Sequence, residues 1–266
     1  VALKAKDVDA TMAILTADHL MKNEAHLRQL LRAAYTVAQD DVLVTLGITP
    51  SYPATGYGYI QKGDFIGGFE GLDMFRVEKF KEKPQELQAN AMLADGEHVW
   101  NSGMFIWRVD AVMGEIERQM PDLFEKLGKI GEDWMTEAQK KTLDSVWPLI
   151  KPKTIDYGIM ENAKNVAVIP TIDLGWNDVG SWQSLFDSLD PDQAGNIVLR
   201  GEPVMLDTQG TLICGDSSEH LIVTIGVEDL IIIDSGDAIL VCDRKQAQRV
   251  REVVDYLKQH GRDEYL

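Results

Sequence analysis

The chain has 266 residues, of which 45% are hydrophobic, 26% charged and 8% aromatic. That length corresponds to one large domain, or a large one plus a small one, and it can bury a core without disulfide or metal staples. Acidic residues number 43 against 26 basic ones, a formal net charge of −17, which excludes broad nucleic-acid binding or a role on an anionic membrane.

In chain order, residues 11–16 are continuously apolar or β-branched and read as a buried strand ending at Ala17-Asp18-His19. Asn23 follows as a helix cap, with Leu27, Leu30, Leu31, Ala34 and Ala38 at helical spacing. A second buried strand is predicted over 42–48. Strand, helix and strand make a right-handed βαβ unit. The lack of polar alternation in both strands predicts a parallel sheet covered by helices on both faces. Strands are predicted at 75–80 and 103–109, and helices at 111–120, 123–130 and 136–147. Thr154 should cap a short helix over 155–161, and a strand returns at 166–169.

From Asn196 the pattern changes to short strands separated by turns, at 204–206, 211–214, 221–225, 230–233 and 238–242. A last helix carries Ala247, Val250, Val253, Val254 and Leu257 on one stripe behind a capping Asp243. The expectation is an α/β domain over 1–190 and a small β-rich, β-solenoid-like domain over 191–266 ending in that helix. The stripe can pack on the main domain or form a homodimer contact. Cys214 and Cys242 lie in strand-like runs without metal-ligand spacing and are expected to be free thiols of a reducing compartment. The longest aliphatic run, Leu230-Ile231-Ile232-Ile233, is too short to cross a bilayer, and no basic-then-apolar leader opens the chain. A cytoplasmic protein with no membrane partner is the expectation.

Several residues could carry chemistry. Asp18 lies beyond the end of a buried strand, where ligands bind in open α/β sheets, so it is a candidate metal ligand or else an N-cap or surface acid. Gly56-Tyr57-Gly58 can bring backbone amides close to a flat ligand, or can be a plain turn. Glu82-Lys83-Pro84 ends a strand. Its carboxylate can accept from two sugar hydroxyls and its ammonium can meet a phosphate, although a solvated edge strand reads the same way. Asn101, just before Gly103, suits a sugar hydroxyl or an Asx turn. Gly175-Trp176-Asn177-Asp178-Val179-Gly180-Ser181-Trp182 frames an acid with glycines, which packing alone does not explain.

The order TADH, GITPSYPATGYGYI, FKEKP, WNSGMFIW, TIDYGIMENA, GWNDVGSW resembles the mannose-1-phosphate guanylyltransferases, or GDP-mannose pyrophosphorylases, of the sugar-nucleotide nucleotidyltransferase superfamily. The resemblance runs from about Asp7 to the end and implies a Rossmann-like domain with a mixed, mostly parallel sheet. It implies transfer of GMP from GTP to mannose 1-phosphate with Mg²⁺. By that resemblance Asp18 and Asp178 hold the ion from opposite sides of a cleft, and Lys83 meets the sugar phosphate. Glu82 and Asn101 bind mannose hydroxyls, Gly56, Tyr57, Gly58 and Gly103 line the sugar site, and Asp156 and Tyr157 shape its wall.

Two departures stand out. The family carries glutamate where this chain has Ala54. The superfamily's opening glycine-rich loop, with its arginine and lysine, is also absent from this sequence. The chain is therefore expected to be an incomplete copy whose 266 residues alone are feeble or inactive. Transfer to another sugar phosphate, or a regulatory subunit that binds sugar nucleotide without catalysis, are the alternatives. Retention of Asp18, Lys83 and Asp178 speaks against the second.

Overall fold

A computed structural model describes residues 1–180, 182–215 and 220–265. The chain divides into two units, one of Val1–Ala17 with Met21–Trp176 and one of Asp18–Leu20 with Asn177–Leu266. The boundary expected at 190/191 falls inside the second unit.

The chain opens with α1 (Ala2–Lys6), β1 (Thr11–Ile14), β2 (His19–Met21), whose first two residues belong to the second unit, and α2 (Glu24–Ala38). Asn23 caps α2 as the sequence predicts, its side chain accepting from the His26 amide at 3.1 Å. The helix buries Leu30, Ala33, Ala34 and Ala38 against the sheet. Next come β3 (Leu43–Ile48), the hairpin β4 (Tyr59–Phe69) and β5 (Leu72–Lys81), α3 (Glu86–Asp95) and the long β6 (His98–Arg108). Then follow α4 (Val109–Gln119), α5 (Pro121–Glu132), α6 (Gln139–Val146), α7 (Ile155–Gly158), β7 (Val166–Thr171) and β8 (Trp176–Asp178), the last two residues of which belong to the second unit. The helix predicted over 155–161 breaks after Gly158 and resumes as a 3-10 turn at Met160–Asn162. Thr154 has the extended backbone of a cap but makes no capping hydrogen bond.

The sheet order is β1-β6-β3-β7-β5-β4, with β4 also paired to β6. Only β3 and β7 pair in parallel; β1–β6, β3–β6, β4–β5, β4–β6 and β5–β7 are antiparallel. The sheet is mixed, as expected, but its pairs are mostly antiparallel. β1, α2 and β3 do form a parallel crossover, yet β6 runs antiparallel between the two strands.

Strand-by-strand alternation builds two cores. Val44, Leu46, Ile48, Trp100, Met104 and Ile106 join the α2 residues in one cluster. Leu43, Val99, Phe105, Trp107 and Val168 join Val112, Ile159 and Met160 in the other. Both faces of β3 and β6 are thus buried, which is why neither strand shows polar alternation in sequence.

In the second unit, Trp182, Leu185 and Phe186 of α8 (Trp182–Ser188) pack with Ile197, Leu212, Ile231 and Ala247. This shared core places the segment before residue 190 with the β-rich part. Strands β9 (Ile197–Arg200), β10 (Val204–Leu206), β11 (Leu212–Gly215), β12 (Val223–Ile225), β13 (Leu230–Asp234) and β14 (Ile239–Asp243) follow. β9, β11 and β13 stack in parallel in one sheet, and β10 and β12 in another. These are successive coils of a solenoid, as the strand rhythm predicts. Thr208 and Thr224 bond at 2.8 Å from one coil to the next. β14 is the exception, antiparallel on β13. Asp243 accepts from the Lys245 amide at 2.7 Å and starts a 3-10 segment, Arg244–Arg249, that leads into α9 (Val250–Gln259). Cys214 and Cys242 are both free thiols. Among the described residues, no helix is long and apolar enough to cross a membrane.

Candidate active site

In the first unit, three strands and one short helix bring together residues far apart in the chain. The Asn101 amide of β6 donates to the Gly58 carbonyl at 2.8 Å, fixing the glycine loop against the strand. A Cβ at Gly58 would overlap Glu82 Oε2 and lie 3.3 Å from Asn101 Cβ, so only glycine leaves this carboxylate its place. Gly56 has open space around it, so sterics do not demand glycine there. Tyr57 stands edge-on to both Trp100 and Trp176, at 5.2 Å from each, and so serves as a packing residue of the loop.

Asn101 Nδ2 donates to Asp156 Oδ1 at 3.0 Å. Its Oδ1 accepts from the Gly103 amide at 3.2 Å, with Thr45 Oγ1 at 3.4 Å sharing its one hydrogen with the closer Met104 carbonyl at 3.1 Å. The acceptor expected to face a sugar is therefore already engaged, and one amide hydrogen remains to be offered. Asp156, on α7, orients that amide, whereas Tyr157 beside it is 44% exposed. Gly103 adopts φ 69°, in the left-handed region where glycine is least strained, and this turns its amide back onto Asn101. Thr45, buried in β3, is a member of the group that its sequence neighbours did not single out. The signal was there, a single hydroxyl within the aliphatic run Val42-Leu43-Val44-Thr45-Leu46.

Glu82 Oε1 lies 3.6 Å from Lys83 Nζ, with the glutamate side chain 11% exposed and the lysine 62%. Lys83 sits at φ 42°, a left-handed conformation unusual for a side-chain-bearing residue, at the turn into Pro84. Burial, and then the negative charge of Asp156, push the Glu82 pKa above its ordinary 4.5, with Lys83 opposing them. Ionising Glu82 thus costs more in the folded chain than in the unfolded one, and the cost appears as pH rises through 4.5. Glu82→Gln is expected to raise the thermal midpoint at neutral pH, with the gain vanishing below about pH 4. A calorimetric gain that stays undiminished in acid would contradict this.

The two metal candidates both lie in the second unit. β2 and β8 form a two-stranded ladder, and the Val179 amide donates to the Asp18 carbonyl at 2.9 Å. Asp18, in the turn just before β2, and Asp178, the last residue of β8, therefore lie beside one another on the backbone and not across a cleft as the resemblance implies. Asp18 caps no helix, since Asn23 performs that role for α2. Asp178 Oδ1 accepts from the Gly180 amide at 3.0 Å, an Asx turn that holds the carboxylate. His19 has its pKa lowered by burial, against the pull of Asp178 and then Asp18, so the imidazole is neutral at pH 7. Ser181, in the same motif, lies outside the described residues. Among the described residues, no group of three or more His, Cys, Asp or Glu is arranged to hold a metal ion.

The nucleotidyl transferase family model matches residues 1–194, and the model of the MannoseP isomerase/GMP-like beta-helix domain matches 201–257. Mannose-1-phosphate guanylyltransferase of Escherichia coli K12 is 36% identical over 258 residues, 97% of this chain and 53% of the relative. The xanthan biosynthesis protein XanB of Xanthomonas campestris pv. campestris B100 is 37% identical over 257 residues, 96% of this chain and 53% of that protein. The chain thus spans about half the length of the curated relatives it matches. The crystal structure of mannose-1-phosphate geranyltransferase from Thermus thermophilus is similar with a TM-score of 0.82 at 31% identity, covering 97% of this chain and 72% of that one. With one family model spanning most of its residues and a solved fold that follows it nearly end to end, the chain belongs to the nucleotidyl transferase family.

Proposed function

We propose that the protein carrying this chain joins mannose 1-phosphate to GTP, forming GDP-mannose and releasing pyrophosphate. The observation that carries this reading is the cluster of Gly58, Glu82, Lys83, Asn101 and Asp156 in the first unit. A largely buried carboxylate can accept from adjacent sugar hydroxyls, and the amide oriented by Asp156 can donate to a third. The exposed ammonium of Lys83, beside them, meets the sugar phosphate. Gly58 leaves room for that carboxylate. The name of the Escherichia coli relative supports mannose 1-phosphate as the sugar.

In the reaction a phosphate oxygen of the sugar attacks the α-phosphorus of GTP in line. The α–β phosphoanhydride bond breaks and its electron pair leaves with pyrophosphate. Lys83 offsets the repulsion between the two polyanions as they approach, so its contribution is to position and to neutralise. Asp18 and Asp178 would hold Mg²⁺. Two hard carboxylates next to a neutral imidazole fit an ion that takes its other ligands from phosphate and water. When bound, the ion neutralises phosphate charge.

Pyrophosphate release by the complete protein tests the reading, with GTP and mannose 1-phosphate set against UTP, dTTP and ATP and against glucose and fucose phosphates. The highest kcat/KM is expected for GTP with mannose 1-phosphate. Preference for any other pair overturns it.

A further inference from the structure

A cavity of about 410 Å³ opens in the second unit between Asp18, Val179 and Gly180 on one side and Val250, Arg251 and Val254 of α9 on the other, floored by the apolar side chains of α8. Among the described residues that line it, Asp18 and Arg251 are the charged ones. Arg251 lies in the first turn of α9, where the helix dipole disfavours a cation, so helix stability does not account for it. The other two arginines of this segment are engaged. Arg249 pairs with Glu252 at 2.9 Å, and Arg244 lies 3.7 Å from the ring centroid of Phe186. Among the described residues, Arg251 makes neither an ion pair nor a side-chain hydrogen bond. A guanidinium without a partner, sharing an apolar-walled cavity with a candidate metal acid, is suited to a ligand with charge for both, a polyphosphate carrying a divalent cation. The apolar walls lower the local dielectric and strengthen each such contact.

We infer that Arg251 binds the polyphosphate of the nucleotide, as pyrophosphate or as the triphosphate tail, in the cavity it shares with Asp18. This rests on the reading of Asp18 and Asp178 as the metal acids and extends it to the carboxyl-terminal helix. One fork of the guanidinium meets two phosphate oxygens, and Asp18 and Asp178 would hold the divalent cation that offsets the remaining phosphate charge. In a chain with a net charge of −17, a local cation is what admits a polyanion to this cavity.

The test is calorimetric titration of the complete protein with inorganic pyrophosphate and magnesium, comparing wild type with Arg251→Gln and Arg251→Lys. The glutamine variant is expected to bind pyrophosphate at least about tenfold more weakly, the usual effect of losing a charge-assisted contact. The lysine variant should recover part of that affinity, and the thermal midpoints should match wild type. In turnover, the glutamine variant should raise KM for GTP more than it lowers kcat. Wild-type affinity in Arg251→Gln overturns the proposal, as does a wild-type protein that takes up no pyrophosphate. Asp178→Asn, assayed alongside, separates the two ideas. If it loses turnover while Arg251→Gln binds normally, the metal acids stand and this inference falls. If it keeps turnover, the reading beneath both falls.

Discussion

Asp178→Asn is expected to lower kcat by roughly 10²–10³, the range seen when one group stabilising transition-state charge is removed. The substitution keeps shape and changes charge. Asp178 Oδ1 accepts from the Gly180 amide, and an asparagine oxygen can accept the same bond, so the turn that holds the side chain survives. What disappears is one of the two negative charges acting on His19, and with it half of the carboxylate pair proposed for a divalent ion. Thermal unfolding should therefore be almost unchanged while pyrophosphate release collapses, and KM for mannose 1-phosphate should move little. Activity within tenfold of wild type would remove Asp178 from the reacting centre. A large fall in the unfolding midpoint would show that its role is to hold β8 in place.

The largest loss of stability is expected from Trp107→Ala, at about 3–5 kcal/mol by urea unfolding. Trp107 is 1% exposed and stacks on Phe105 at 5.2 Å, within the cluster that ties β6 to α4 and to the segment after α7. The tightly packed surroundings cannot close over the space of an indole, so the cost includes a cavity as well as lost burial. Its Nε1 has no hydrogen-bond partner among the described residues. Trp107→Phe keeps most of the ring contact and removes that orphaned donor, so it should cost distinctly less than alanine. Equal losses for the two would mean that the indole nitrogen is bonded after all, and a loss below about 1 kcal/mol for alanine would contradict the packing described.

Helices were the most legible part of the fold. The α2 stripe of Leu27, Leu30, Leu31, Ala34 and Ala38 behind Asn23 can be read at sight, because cap and periodicity are local. Strand partners are not local. An all-apolar strand such as β3 looks the same whether its neighbour runs parallel or antiparallel, since burial of both faces erases alternation in either case. The insertion of β6 between β1 and β3 could not be read from residues 11–48. Most of β5 was read as a strand over 75–80, but its partner β4 escaped. Their outer turns carry Gln61, Lys62, Asp64 and Asp73 and extend into solvent, so the ladder Tyr59–Phe69 against Leu72–Lys81 is held by backbone pairing more than by an apolar signal.

For the site, residue types were legible and their junctions were not. Glu82 beside Lys83 is a sequence fact, but Gly58 against Glu82 and Asn101 against Asp156 join positions tens of residues apart. Asn101 shows what was lost. As a residue it offers a donor and an acceptor, and only the fold reveals that the Gly103 amide occupies its oxygen.

The reversal at β14 has a bearing on self-association. Parallel coils that stack by a repeated screw leave, at each end, a template on which a further coil could be added in the same sense, from this chain or another. Because β14 runs against β13, the growing edge changes polarity, and an arriving coil obeying the same screw meets carbonyls and amides in the wrong phase. One reversed strand of five residues thus replaces the parallel edge of the coils with one of the opposite polarity.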